Sequence, residues 1–155
     1  MKADMKNPVH LLAFGFGSGL APRAPGTFGT LVGIAFFWPL AGLPPIAYLL
    51  VVAMLFALGI WLCGRTSRDL GVHDHGGIVW DEIVGLLVTL FGAPFEVSVV
   101  LVGFVLFRIF DILKPWPIGW LDRRVSGGFG IMIDDVLAGV FAAAILQLLL
   151  YLNLL

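Results

Sequence analysis

The chain has 155 residues, of which 60% are hydrophobic and only 12% are charged, about half the charged share of an ordinary soluble domain. This composition argues against a freely soluble protein, and a formal net charge of -1 argues against nucleic acid as a partner, because phosphate neutralisation needs a clustered excess of Lys and Arg. The length fits one domain, residues 1–155, and the single cysteine, Cys63, can form no intramolecular disulfide.

Four apolar runs organise the chain. Residues 24–64 and 136–155 contain no Asp, Glu, Lys or Arg, and both stretches reach the ~20-residue length of a helix that crosses a bilayer. The first stretch divides into runs at 28–41 and 46–63, which a Gly-Pro turn at 42–45 joins into a helical hairpin. The third run, 78–110, is interrupted at 92–96, and the last run begins after Asp134 and Asp135.

The interruption at 92–96 decides the topology. If 78–110 were one span, Asp81 and Glu82 would lie across the membrane from Arg108. If it is a second hairpin, nearly all charged residues share one side, which the positive-inside bias places in the cytoplasm. We therefore expect an all-α polytopic membrane helical bundle of five short spans with cytoplasmic-side loops.

A segment rich in Gly, Pro and hydroxyl residues precedes the first run. Its glycines would let backbone N–H groups approach an anion, and Ser18, Thr27 and Thr30 would add hydroxyl donors beside the positive end of the next helix. The segment lacks the spacing of a dinucleotide fingerprint and the Gly-Lys-Ser/Thr of a P-loop. It is either a phosphate cradle or an ordinary Gly/Pro-rich loop.

Two adjacent carboxylates, Asp81 and Glu82, lie within an otherwise apolar segment. An ionisable group at the membrane centre costs on the order of 2.5–3.5 kcal/mol on insertion scales, so these residues need compensation. One interpretation is that they bind a cation near the interface. The alternative is a structural role, as a helix cap or in an ion pair with Arg65 or Arg68.

Two further polar clusters follow. Arg108, Asp111 and Lys114 have three-residue spacing, which places them on one helix face as a binding site or as an ordinary charge ladder. Asp134 and Asp135 precede the last run, where carboxylates suit the start of a helix. Capping explains one of them, whereas the second would be repelled unless a cation or a basic group is near.

The donor types predict the metal. The three acidic clusters offer hard oxygen ligands, which favour Mg²⁺ over zinc or copper, and Mg²⁺ usually takes one or two carboxylates together with water and substrate phosphate. His73, Asp74 and His75 lie in a nearby loop. Histidines in such loops are more often structural or solvated than ligands, so these three are second-tier candidates.

Five motifs in order carry a resemblance to a known family. They are Gly17-Ser18-Gly19, Ala24-Pro25-Gly26-Thr27, Ile78-Val79-Trp80-Asp81-Glu82, Phe107-Arg108-Ile109-Phe110-Asp111 with Lys114-Pro115, and Asp134-Asp135 with Ala138-Gly139. Together they resemble the bacterial phosphatidylglycerophosphatase A family, in its membrane-embedded branch. The similarity runs over nearly the whole chain.

The resemblance implies Mg²⁺-dependent removal of the terminal phosphate from phosphatidylglycerophosphate, giving phosphatidylglycerol and inorganic phosphate. It implies this lipid and the bilayer as partners, in the bacterial inner membrane, with the active site facing the cytoplasm. The metal and catalytic set it implies is Asp81, Glu82, Asp111, Asp134 and Asp135, with Arg108 and Lys114 as phosphate partners. Within this set we expect Asp81, Glu82 and Asp111 to be catalytic and Glu82 to be the general base.

A small membrane transporter or ion pathway is the alternative function, since intramembrane acids and broken helices also mark such sites. Clustering of the acids on one side, and a sequence without an inverted repeat, favour the enzyme. A phosphatidyltransferase is less favoured because the spaced aspartates of the CDP-alcohol type are absent. A purely structural subunit would have no use for so many costly carboxylates.

Overall fold

Helices form all the regular structure of residues 2–155, which are the residues described by the computed structural model. This confirms the predicted all-α class. In chain order the elements are α1 (Pro8–Ala13), a 3₁₀ segment (Gly15–Leu20), α2 (Pro25–Leu40), α3 (Pro45–Leu70), α4 (Trp80–Thr89), α5 (Val97–Leu113), α6 (Ile118–Arg124) and α7 (Gly127–Tyr151).

Both predicted helical hairpins are present. α2 ends at Leu40 and α3 begins at Pro45, where proline at the first helical position costs no hydrogen bond. α4 ends at Thr89 and α5 begins at Val97, so the interruption at 92–96 does divide the third apolar run. The starts of α2, α4 and α7 and the ends of α3 and α5 consequently gather at one end of the bundle, which we call the polar end.

Two predicted boundaries at the polar end are wrong. α3 continues beyond residue 63 to Leu70, and α7 begins at Gly127 instead of after Asp135. Asp134 and Asp135 therefore lie about two turns inside α7, and the predicted capping role is wrong. Gly127, Gly128 and Gly130 lie in the first turn of α7, and a Cβ at Gly128 would collide with the backbone carbonyl of Ile60 on α3. Close packing of this kind offsets the weak helix propensity of glycine.

Two helices, α3 and α7, are long and apolar enough to cross a membrane, and α2 is apolar but shorter. α4 has 10 residues, about 15 Å of helix, and is buried over nearly all of its length. It packs against α2, α3, α5 and α7. The short helix that carries Asp81 and Glu82 is therefore the central helix of the bundle.

α4 and α7 meet backbone to backbone. A Cβ added at Gly139 would lie 2.5 Å from the carbonyl oxygen of Gly85, and one added at Gly85 would lie 2.9 Å from the carbonyl oxygen of Asp135. The Thr89 hydroxyl donates to the same Gly85 carbonyl at 3.0 Å. Small residues permit this approach, and the approach sets the distance between the acids of α4 and Asp135.

Replacing Gly139 with alanine is expected to destabilise the protein by about 1–3 kcal/mol, because the added methyl group must displace the backbone of α4. Thermal unfolding of the purified protein in detergent measures the effect. Gly42→Ala is the matched control, since nothing lies within 4 Å of a Cβ at Gly42. Equal unfolding temperatures for the two variants would contradict the close contact.

Candidate metal centre

Three carboxylates meet at the polar end of the bundle. One ligand oxygen from each of Asp81, Glu82 and Asp135 lies within 4.8 Å of the other two. Asp81 and Glu82 occupy the first turn of α4, and Asp135 comes from α7. Asp81 and Asp135 are buried and Glu82 is nearly so. We call these three residues the acidic triad.

The acidic triad contains oxygens without hydrogen-bond partners. Among residues 2–155, no group donates to Asp81 Oδ1, Glu82 Oε2 or Asp135 Oδ2, and all three atoms are buried. Burying an unpaired charge is costly, and adjacent carboxylates also repel one another. A divalent cation would relieve both costs. Carboxylate oxygens are the ligands of hard cations such as Mg²⁺ and Ca²⁺, so the donor set fits a metal of this kind.

Arg108 lies at one side of the acidic triad. Its guanidinium forms an ion pair with Asp111 on the next turn of α5, and its Nη1 lies 3.8 Å from Glu82 Oε1. Asp111 in turn lies beside Asp135. The centre thus holds four carboxylates and one guanidinium, which leaves an excess of negative charge. The Nε of Arg108 is buried and has no partner within the described residues, so it remains available as a donor.

Asp134 has a different environment from its neighbour. Successive residues on a helix point about 100° apart, so when Asp135 faces α4, Asp134 faces the segment that follows α5. There Lys114 Nζ lies 2.7 Å from Asp134 Oδ2 and 2.8 Å from Asp122 Oδ1. We call Lys114, Asp122 and Asp134 the Lys114 network.

Electrostatics favour the charged forms of Lys114 and Asp122. Partial burial favours the neutral amine, but hydrogen bonds and charge from Asp122 and Asp134 outweigh it and raise the pKa of Lys114 above its ordinary value. Partial burial likewise opposes ionisation of Asp122, yet Lys114 holds the pKa of that carboxyl below its ordinary value. The positive charge of Lys114 is therefore shared by two carboxylates, whereas the acidic triad has no ammonium group of its own.

The start of α2 reaches the metal centre. A Cβ at Gly26 would collide with the Glu82 carboxylate and would lie 3.1 Å from an Arg108 guanidinium nitrogen. Only glycine permits this approach, so the positive end of α2 points toward the triad. Thr27 follows directly and lines a groove together with Arg108. This part of the predicted phosphate cradle is brought to the acids.

The other two predicted hydroxyls are engaged within their own segments. The buried Thr30 hydroxyl donates to the Gly26 carbonyl at 2.7 Å, and the Ser18 hydroxyl donates to the Phe14 carbonyl at 3.4 Å. Each interaction uses the hydroxyl proton locally. A free donor at the start of α2 comes from Thr27 or from the backbone, as is usual for a helix N-terminus.

The second-tier loop residues form contacts that support the polar end. His73 Nε2 accepts from the Gly127 N–H at 3.1 Å, and His75 Nδ1 accepts from the Gly77 N–H at 3.0 Å. The first contact joins the loop to the start of α7. Asp74 lies within electrostatic range of the Lys114 network. None of the three belongs to the acidic triad.

Three findings differ from sequence reasoning. The alternative in which Arg65 forms an ion pair with the α4 carboxylates is wrong, because Arg65 pairs with Asp69 at 3.1 Å. Asp122 was missed, because an acid followed by two arginines is typical of a solvated helix face. The close contact of Gly85 with Gly139 was also missed, although an isolated glycine inside an apolar helix often marks such a contact.

Comparison with known proteins gives a match over most of the chain. The family model described as phosphatidylglycerophosphatase A matches residues 11–150. A protein of Escherichia coli (strain K12) with that name is 53% identical over 146 residues, 94% of this chain and 85% of that protein. A protein of Haemophilus influenzae with the same name is 48% identical over 152 residues, 97% of this chain and 93% of that protein. No solved structure matches.

Lys114→Met is expected to destabilise the protein by about 3–5 kcal/mol, because the carboxylate of Asp134, a residue only 3% exposed, would lose its partner. Asp122→Asn should cost less, about 0–1 kcal/mol, since an exposed ion pair contributes little and the Asp122 side chain is 38% exposed. Denaturant unfolding in detergent measures both. An inactive Lys114→Met protein with wild-type stability would instead favour direct phosphate binding by Lys114.

Proposed function

The chain belongs to the phosphatidylglycerophosphatase A family and is a phosphoric monoester hydrolase, and from this premise we propose that it is a Mg²⁺-dependent lipid phosphatase. The proposed reaction releases the terminal phosphate of phosphatidylglycerophosphate, leaving phosphatidylglycerol. The observation that carries the proposal is the acidic triad, whose buried unpartnered oxygens lie beside Arg108 and the start of α2.

The metal ligands in this proposal are Asp81, Glu82 and Asp135. A bound Mg²⁺ would supply Lewis-acid chemistry, offsetting the charge of the phosphate and making water a better nucleophile. The three side chains come from two helices held in backbone contact, so their positions are set by packing before the ion arrives. Asp111, which lies beside Asp135 and pairs with Arg108, orients the guanidinium and is a further candidate ligand.

Arg108 is the proposed phosphate partner. Phosphoryl transfer gains mainly from positioning and from cationic groups that meet the developing charge. Arg108 has an unpartnered Nε, and its planar donor fork suits phosphate oxygens. The Thr27 hydroxyl and the backbone N–H of Gly26 would contact the same phosphate, since the Thr27 and Phe28 N–H groups already donate to the Ala24 carbonyl. Lys114 would take part only if it released Asp122, so we assign it first to holding Asp134.

Glu82 is the proposed general base. Its Oε2 is buried without a donor while its Oε1 faces Arg108, so in this proposal one Glu82 oxygen would hold the metal ion and the other would take a proton. Water would attack phosphorus as the bond to the glycerol oxygen breaks. The proton that water loses passes to Glu82, and Glu82 then returns that proton to the departing alkoxide, which gives the alcohol of phosphatidylglycerol.

Placement at a membrane surface supports a lipid substrate. The acids lie in the first turn of α4 and about two turns inside α7, near the polar end and away from the middle of the bundle. A diacyl lipid holds its phosphate at that depth. An ion pathway would need acidic groups along the whole bundle, so this placement favours the phosphatase over the transporter alternative.

Replacing Asp81, Glu82 or Asp135 singly with Asn or Gln is expected to reduce phosphate release from phosphatidylglycerophosphate by at least about 100-fold, the usual loss when one preorganised electrostatic group is removed. Activity of the unmodified protein should disappear with chelator and return with Mg²⁺. The assay counts inorganic phosphate released in detergent micelles. Asp69→Asn is the matched control, because Asp69 pairs with Arg65 outside the triad.

A second readout separates metal binding from catalysis. Mg²⁺ at 100 times its dissociation constant should stabilise the folded protein by about 2.7 kcal/mol, seen as a higher unfolding temperature. The triad variants should lose this shift, whereas Asp69→Asn should keep it. Full activity in the three triad variants, or an unchanged shift in them, would refute the site.

The polar end is proposed to face the cytoplasm of a bacterial inner membrane. Single cysteines at Glu96 and Leu155, which lie at the opposite end, should then react with a membrane-impermeant maleimide in intact cells. A cysteine replacing Lys6 should react only after the membrane is opened. Native Cys63 is fully buried and should stay unlabelled. If the cysteine at position 96 were labelled only after the membrane is opened, the protein would have the opposite orientation.

A further inference from the structure

A groove runs along the outside of the bundle between α2 and α5. Its walls include Thr27 on α2 and Phe104, Val105, Arg108, Ile109 and Ile112 on α5. The cavity holds about 340 Å³. The surface that these residues present to the groove is hydrocarbon, so Arg108 lines it through its aliphatic stem and Thr27 through its carbon atoms. We call this feature the α2–α5 groove.

The groove exists because α2 and α5 both pack on α4 and make little contact with each other. Its α5 wall is open to the surroundings: Val105 is 53% exposed and Ile112 is 65% exposed. In a bilayer this surface faces acyl chains, so the groove opens sideways into the hydrocarbon.

Arg108 belongs both to the groove and to the metal centre. It lines the groove between Phe104 and Ile112, and the same guanidinium lies beside Glu82 and Gly26. A lipid could therefore place its phosphate at Arg108 while its tail stays in the apolar part of the groove.

We propose that the α2–α5 groove binds one acyl chain of the lipid phosphomonoester and admits that lipid from the side of the membrane, an inference that rests on the proposed function. The α5 wall from Phe104 to Leu113 is about 14 Å long, close to half of a ~30 Å hydrocarbon core. The groove thus matches the depth of one leaflet. Its apolar walls suit a chain, and Arg108 distinguishes a phosphate-bearing lipid from a neutral one.

The test fills the groove and compares two substrates with the same phosphate-bearing headgroup. One is long-chain phosphatidylglycerophosphate in mixed micelles, and the other is the deacylated, water-soluble headgroup. Val105→Trp is expected to lower the ratio of kcat/KM for the lipid to kcat/KM for the soluble compound by at least about tenfold, the effect of losing contact with about two methylene groups. Ile112→Trp, on the same wall, should also lower this ratio, and it replaces Val105→Trp in the test if that variant does not fold.

Leu148→Trp on α7 is the matched control. Leu148 is 55% exposed, close to the 53% of Val105, but it does not line the groove. Its ratio should equal that of the unmodified protein. If the ratio is unchanged in both groove variants, the groove does not bind the substrate chain and the proposal is wrong. If the ratio falls equally in Leu148→Trp, the loss comes from adding a large side chain anywhere on the surface, and the proposal is also wrong. Failure of the unmodified protein to release phosphate from the lipid would refute the proposed function itself.

Discussion

The backbone contact between α4 and α7 is the constraint on which the candidate site depends. Gly85 and Gly139 let these helices approach more closely than any side chain would allow, and the Val88 side chain of α4 lies against Gly139 in the same contact. That packing keeps Asp81, Glu82 and Asp135 together although their charges repel. The free energy of burial is thus used to hold the carboxylates in place, and a cation that binds them finds its ligands already arranged.

The two adjacent aspartates of α7 show how one helix separates two electrostatic roles. Asp134 is paired with Lys114, which Asp122 also binds, so its charge is balanced within the protein. One oxygen of each aspartate has no partner, but Asp135 faces α4 and forms no ion pair within residues 2–155, so its charge is balanced only when something else is bound. The Lys114 network joins α6 to α7 and keeps its ammonium away from the triad, which preserves the negative charge that attracts a divalent ion.

The shortness of α4 suits an enzyme that acts on a membrane lipid. Because α4 is central and surrounded by longer helices, its first turn lies inside the polar end and stays shielded from bulk water. The positive ends of α2 and α4 point into this region, where a phosphate would meet them together with Arg108. The α2–α5 groove connects the same region with the surrounding hydrocarbon. Under the proposed function, a headgroup and a chain would therefore meet complementary surfaces at neighbouring places on one molecule.

Local sequence patterns determined the helical class, the two hairpins and the polar positions, because Gly-Pro interruptions and charges inside apolar runs have the same physical cost in any fold. They also named Asp81, Glu82 and Asp135 as candidates. Only the tertiary structure decided that Asp135 joins the α4 acids while Asp134 joins Lys114, that α7 begins at Gly127, and that Asp122 matters. Those outcomes depend on the rotation of each helix about its axis and on which glycines meet a neighbouring backbone. Packing between distant segments sets the rotation of each helix and the glycine contacts, so neither can be read from the pattern of a single segment.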